Sequence, residues 1–279
     1  MDHFSSISLK KYFEESHKTY EKNLNVCLIK VEEKAVHDCR VSLRRLMSAL
    51  STVAILTPAH VNQLSKYKRT LKKIQRKFSA TRDSHVSHDY LNNRLPPDLN
   101  VDLSHLSLFF SSIISNNELQ LSENLSEKDL ENVSFIINHT FELTHDTLLT
   151  LHDLSCYYQS LNVSFLKVIE KLYHLDEKVI DTFHDIRIPL KNFRYQLEIL
   201  QLLSPIYQDQ LVKLKELQEY LGEIQDLAVL IAFLELFEKD ESEAVNPILF
   251  SWIEERMITL SKNFYDQRFQ LLSLWDVIN

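Results

Sequence analysis

A single glycine, Gly222, in 279 residues is the feature that most narrows the folds open to this chain. Glycine is the default residue where the backbone must adopt positive φ. Tight two-residue hairpins, glycine-rich phosphate loops and the dinucleotide-binding fingerprint all need more of it than the chain has. Leu, Glu, Lys and Gln are abundant, and no window sustains the two-residue alternation of a half-buried strand. The expected fold class is therefore all-α. No apolar run approaches the roughly 20 residues of a membrane-spanning helix. Met1 to Lys10 lacks the basic segment and apolar core of a secretory leader, so a cytoplasmic location is expected. Cys27, Cys39 and Cys156 have no ligand-like spacing and read as free thiols.

The helical pattern predicts a first helix over Ile7–Ile29 and a second over Glu33–Leu56, stopped at Thr57-Pro58. A long third helix is expected over His60–Leu95, ending at Pro96-Pro97. The polar stretch from Asp98 to Ser126 reads as a short helix among loops. A further helix is expected from Glu127 to about Tyr158 with Ser126 as its cap, and the pattern resumes near Val163. Pro205 would end the next helix, and the last two would span Ile206–Glu238 and Pro247–Trp275.

Two of these helices carry nearly the same text. The second contains His37-Asp38-Cys39-Arg40-Val41-Ser42-Leu43-Arg44, and a later one contains His184-Asp185-Ile186-Arg187-Ile188-Pro189-Leu190-Lys191. The helices that follow also correspond: Leu71-Lys72-Lys73-Ile74-Gln75 leads to Phe78-Ser79 and Asp83, as Leu214-Lys215-Glu216-Leu217-Gln218 leads to Leu221-Gly222 and Asp226. The expectation is an internal duplication within one domain over 1–279, with repeat units 1–158 and 159–279. Gly222, matched by small Ser79, reads as a close helix crossing. Tyr195, Phe193, Trp252 and Trp275 read as core or interface aromatics.

At about 100° per residue, Arg40 and Arg44 fall on the side of His37, with Leu43, Leu46 and Leu50 opposite. The second copy puts His184, Arg187, Lys191 and Arg194 on one stripe and Ile186, Leu190, Phe193 and Leu197 on the other. Each motif helix thus has a core face and a cationic face. On the third helix Lys72, Gln75 and Arg82 share a face with Lys68 near it, and Asp83 and Asp226 are placed to orient nearby arginines. The formal charge of −8 hides this segregation: His37 to Arg82 holds eleven Lys/Arg and one acid, whereas Pro96 to Thr182 holds fourteen acids and four lysines. Arginine forks and lysine point charges suit phosphate oxygens, and a polyanion accumulates many modest contacts through counterion release. A histidine in a polyanion's field would be driven towards its cationic form.

These residues resemble the CHAD domain, the conserved histidine α-helical domain, and the resemblance extends over nearly the whole chain. It implies two pseudo-symmetric four-helix units facing each other across a basic groove or pore. It also implies non-catalytic binding of inorganic polyphosphate, in some members with localisation to polyphosphate granules. The contacts it implies are His37, Arg40, Arg44, Arg45, Lys72 and Arg82 from the first half, with Lys68 and Arg76 on the same third helix. His184, Arg187, Lys191, Arg194 and Lys215 come from the second. The chain departs from the pattern at Asn192, which stands where the first copy has Arg45, at Pro189 inside the second motif, and at Gln225 opposite Arg82. From His184 to Asp226 there are five Lys/Arg against seven acids, so the first half is expected to bind more tightly.

Two other classes stay open on sequence. A helical scaffold with the same stripe would serve another polyanion, nucleic acid or an acidic protein. His-Asp pairs at His37, His88, His145, His152 and His184 also evoke a metal-dependent phosphohydrolase of the HD type, although arginines around the repeated pairs would repel a divalent cation. Glu14-x-x-His17 and Glu142-x-x-His145 have the spacing of di-metal carboxylate bundles, a match expected by chance in a chain of this composition. No cofactor or metal is expected.

Overall fold

A computed structural model describes residues 6–99, 101–149, 154–203, 206–241 and 243–275. Among the described residues there are ten α-helices and no strand. In chain order they are α1 (Ser6–Ile29), α2 (Glu33–Leu56), α3 (Val61–Lys77), α4 (Ser79–Asn93), α5 (Ser104–Asn124), α6 (Glu127–Leu149), α7 (Ser155–Tyr173), α8 (Ile180–Leu203), α9 (Gln208–Glu241) and α10 (Pro247–Gln267). No described helix is long and apolar enough to cross a membrane. Pro205, read as a helix stop, lies outside the described residues.

The helices pack largely with their chain neighbours: α1 on α2, α2 on α3, α4 on α5, α7 on α8, α8 on α9 and α9 on α10. Contacts of α2 with α7 and α8, and of α4 with α9, join the early helices to the late ones. One apolar core runs through both, from Phe13 and Leu43 to Leu190 and Phe264, all less than 1% exposed. The helix α2 forms where its periodicity says it should. Val36, Cys39, Leu43, Leu46 and Val53 are buried, and the Thr57 hydroxyl and N–H both donate to the Val53 carbonyl just before Pro58. Between α2, α7 and α8, the buried Tyr157 donates to the Gln196 carbonyl at 2.6 Å and lies 3.4 Å from the Thr52 hydroxyl.

Four expectations are corrected. The long third helix is two: the buried Phe78, with ψ near 0°, interrupts α3 and α4, and its N–H turns back to Gln75 while its carbonyl starts the new ladder at Arg82. The polar Ser/Asn stretch forms the 21-residue α5. Packing overrides its weak propensity, because Phe109 and Phe110 stack edge-on or tilted against Phe237 and Phe233 of α9. The helix expected to reach Tyr158 is not continuous, since Leu154 is outside any helix and Tyr158 belongs to α7, so the 158/159 boundary falls inside a helix. The cap of α6 comes from Asp129 reaching back to the Ser126 N–H at 3.1 Å, and Lys77 holds both Asp129 oxygens at 2.8 Å.

Smaller differences have equally local causes. The stretch after α10 tightens into a 3₁₀ turn over Arg268–Ser273, which seats the buried Leu271 just before Leu274 and Trp275. The Trp275 indole then donates to Asn162 Oδ1 at 2.8 Å. Gly222 is no close crossing, since a Cβ there would meet nothing within 4 Å. α8 runs unbroken through Pro189, which removes the ladder donor that the Asp185 carbonyl would otherwise receive.

Candidate functional site

The two motif helices, α2 and α8, pack directly on each other, with α3 flanking α2 and α7 flanking α8. These four helices enclose a cavity of about 630 Å³. Six cations line it: Arg44 from α2, Lys68 and Lys72 from α3, Lys167 from α7, and Arg187 and Lys191 from α8. No Asp, Glu or His does. Ser48, Ser51, Gln75, Ser164, Asn192 and Gln196 add neutral polar groups, and Tyr195, only 8% exposed, is the one aromatic on the wall.

Several partly buried cations elsewhere are paired. Arg82 meets Glu33 at 2.9 Å, Arg194 meets Glu198 at 3.1 Å, Arg256 meets Glu223 at 2.8 Å and Lys77 meets Asp129 at 2.8 Å. None of the six cavity cations enters an ion pair among the described residues. Lys68 donates only to the Ser51 hydroxyl, at 2.7 Å. The Nε atoms of Arg44 and Arg187 are buried and have no hydrogen-bond partner among the described residues. An unsatisfied buried donor costs on the order of 1–3 kcal/mol, more when charged, so both guanidinium groups are held in place at a cost.

The crowding shows in the ionisation of the lysines. Burial, then Arg187, Arg44 and Arg194, push Lys191 down from 10.5 to about 7, with Asp226 opposing. Burial and Lys72 also lower Lys68. Arg187 is lowered by burial and by Arg44, with Asp226 opposing.

The histidine ends of the motifs lie outside this cavity. His37 is lowered by burial, Arg82 and Arg44, which favours the neutral ring. Nδ1 of His184 bonds the Gln225 side-chain oxygen, beside a separate depression of about 180 Å³. Arg40 is tied down, its guanidinium donating to Ser79 at 2.7 Å and its carbonyl accepting from Gln75 at 3.1 Å. Asp83 and Asp226 are raised by burial and held back by nearby arginines, Arg40, Arg82 and Arg187 for the first and Arg187, Arg82 and Arg94 for the second. Each motif stripe is therefore divided. Its histidine end is compensated by acids and hydroxyls, and its Arg44 or Lys191 end is left positive.

Of the thirteen residues singled out in sequence, Arg44, Lys68, Lys72, Arg187 and Lys191 meet in the cavity. The remaining cations are placed elsewhere. Arg45 faces a different depression with Tyr12 and Glu198, because one residue along a helix turns the side chain by about 100°. Arg194 pairs with Glu198 on that side. Arg76 is exposed on α3 outside the cavity. Arg82 is spent on Glu33. Lys215 is on the outer face of α9, its side chain 70% exposed and 3.9 Å from Glu219. Lys167 was not anticipated. It lies in a stretch that reads as acidic, and only the packing of α7 against α8 brings it to the wall.

A family model described as "CHAD domain" matches residues 11–121 and 159–235. The crystal structure of the CHAD domain from the plant Ricinus communis superposes with a TM-score of 0.68 at 18% identity, over 98% of this chain and 91% of that one. PptA from Streptomyces chartreusis superposes with a TM-score of 0.56 at 14% identity, over 96% and 98%. No curated protein matches the sequence.

Proposed function

From the fact that the chain belongs to the CHAD domain family, and from the cavity its motif helices enclose, we propose that it binds inorganic polyphosphate without transforming it. The observation that carries this reading is the set of six cations around one cavity with no carboxylate among its walls. Six like charges brought together without counterions are unfavourable unless an anion completes the site. The forked donors of Arg44 and Arg187 suit phosphate oxygens, and the lysines supply charge on flexible stems. No imidazole or carboxylate lines the cavity to move a proton, which favours binding over catalysis.

Polyphosphate is preferred over single-stranded nucleic acid because such binders stack bases on exposed aromatic faces. Here the one wall aromatic, Tyr195, is nearly buried and has the Arg194 guanidinium 5.1 Å over its ring. The two halves contribute three cations each, Arg44, Lys68 and Lys72 from the first and Lys167, Arg187 and Lys191 from the second, so the less basic second half supplies as much of the wall charge as the first. A cytoplasmic location, with recruitment to polyphosphate granules, belongs to the same proposal.

The test is a binding titration with polyphosphate of several chain lengths, competed by single-stranded DNA or RNA. Polyphosphate is expected to bind more tightly at equal charge. Equal or tighter binding of nucleic acid would overturn the preference. Arg44→Glu and Lys191→Glu should each abolish polyphosphate binding with an unchanged helical circular dichroism spectrum.

A further inference from the structure

Lys191 is the lysine placed where the cavity's charges converge. On its own helix Arg187 and Arg194 lie one turn to either side, and from α2 the Arg44 guanidinium faces it. Lys68 and Lys72 of α3 and Lys167 of α7 close the same cavity. The one acid acting on it, Asp226 of α9, is not in an ion pair with it and is itself engaged by Arg187 and Arg82. Arginines keep their charge at any pH that leaves a protein folded. A cavity that must shed positive charge when empty can therefore do so only through its lysines. Lys68 keeps a hydroxyl partner in Ser51, and Lys72 is exposed. Lys191 is less exposed than either and donates no hydrogen bond among the described residues.

We propose that filling this cavity with a phosphate anion is coupled to uptake of one proton by Lys191, so that occupancy responds to pH across neutrality. The empty site relieves its own repulsion by releasing the Lys191 proton. An anion reverses the balance, because each phosphate oxygen brought to the Arg44 and Arg187 guanidinium groups cancels the charge that disfavoured the ammonium. The bound state then holds the Lys191–phosphate contact that the empty state cannot sustain. This deepens the polyphosphate reading and rests on it.

Proton uptake is read by calorimetry, with polyphosphate titrated into the full chain in buffers of different ionisation enthalpy. At pH 8 about nine-tenths of a proton per cavity should be taken up, falling towards zero at pH 5.5. Affinity should drop by close to tenfold per pH unit above pH 8 and level off below pH 6. Lys191→Arg, which stays charged at every pH tested, should lose most of the uptake and most of the pH dependence of affinity. Subtracting it removes protons exchanged by phosphate termini and by Lys68. Uptake in the parent equal to that in Lys191→Arg would overturn the proposal while leaving polyphosphate binding intact.

A second measurement needs no polyphosphate. Competitive acetylation of the anion-free protein, read by peptide mass spectrometry, should show Lys191 half-titrated near neutrality. A normal lysine titration would overturn the coupling. Absence of polyphosphate binding at every pH would instead overturn the functional reading.

Discussion

Replacing Lys191 by Met should make the anion-free protein more stable, and by an amount that depends on pH. Met keeps the apolar stem and removes the charge. A lysine with its pKa near 10.5 in the unfolded chain and about 7 in the fold binds fewer protons folded than unfolded between those values. Stability of the parent should therefore rise with pH from about 7 towards 10.5, and the penalty should be fully present below 7. At about 1.4 kcal/mol per pH unit the ceiling is roughly 5 kcal/mol. Solvent reaching the cavity screens much of this, so a gain of about 1–3 kcal/mol at pH 6 is the working figure. Urea unfolding in phosphate-free, low-salt buffer at pH 6, 7.5 and 9 measures it. The gap between variant and parent should shrink as pH rises. A variant less stable than the parent at pH 6, or a gap that ignores pH, would refute the claim that Lys191 sits against uncompensated charge.

Three further outcomes are expected. If all six cations meet phosphate, log affinity should fall with log salt with a slope of about −4, and Lys72→Met should make that slope shallower by about one. Gly222→Ala should stabilise the chain by about 0.5–1 kcal/mol in a urea titration, because the position is helical and the added methyl meets open space. Lys77→Met should destabilise it by roughly 3 kcal/mol in the same assay, since it leaves the Asp129 carboxylate, 6% exposed, without its cation.

The helices α1, α2 and α9 could be read within a few residues because their apolar spacing and their proline or polar boundaries are local properties. The break at Phe78 could not, since it depends on the core that receives that side chain. Nor could α5, whose Phe109 and Phe110 need α9 as a partner. At the site, helical phase correctly put Arg44, Arg187 and Lys191 away from the core. Phase alone does not say which neighbour covers a face. Arg45, implied only by the family resemblance, faces Tyr12 and Glu198, and Lys215 followed its motif onto an outer surface. The histidines that first marked the repeat lie beyond the cavity, while Lys167, with no motif around it, lies inside.

The walls of the cavity come from α2, α3, α7 and α8, and Arg44 and Lys191 stand 147 residues apart in the chain. Such a site exists only once distant segments have met, and the loop-closure entropy of that meeting is met by the fold. A ribosome-bound chain that has released only α1 to α6 carries the more basic text but not the cavity. On the function proposed above, polyanion capture would be a property of the finished molecule, and a bound phosphate chain would act as a clasp on the whole fold. At a free concentration one hundred times its dissociation constant it would add about 2.7 kcal/mol to global stability. Hydrogen exchange should show that protection spread over helices from both ends of the sequence.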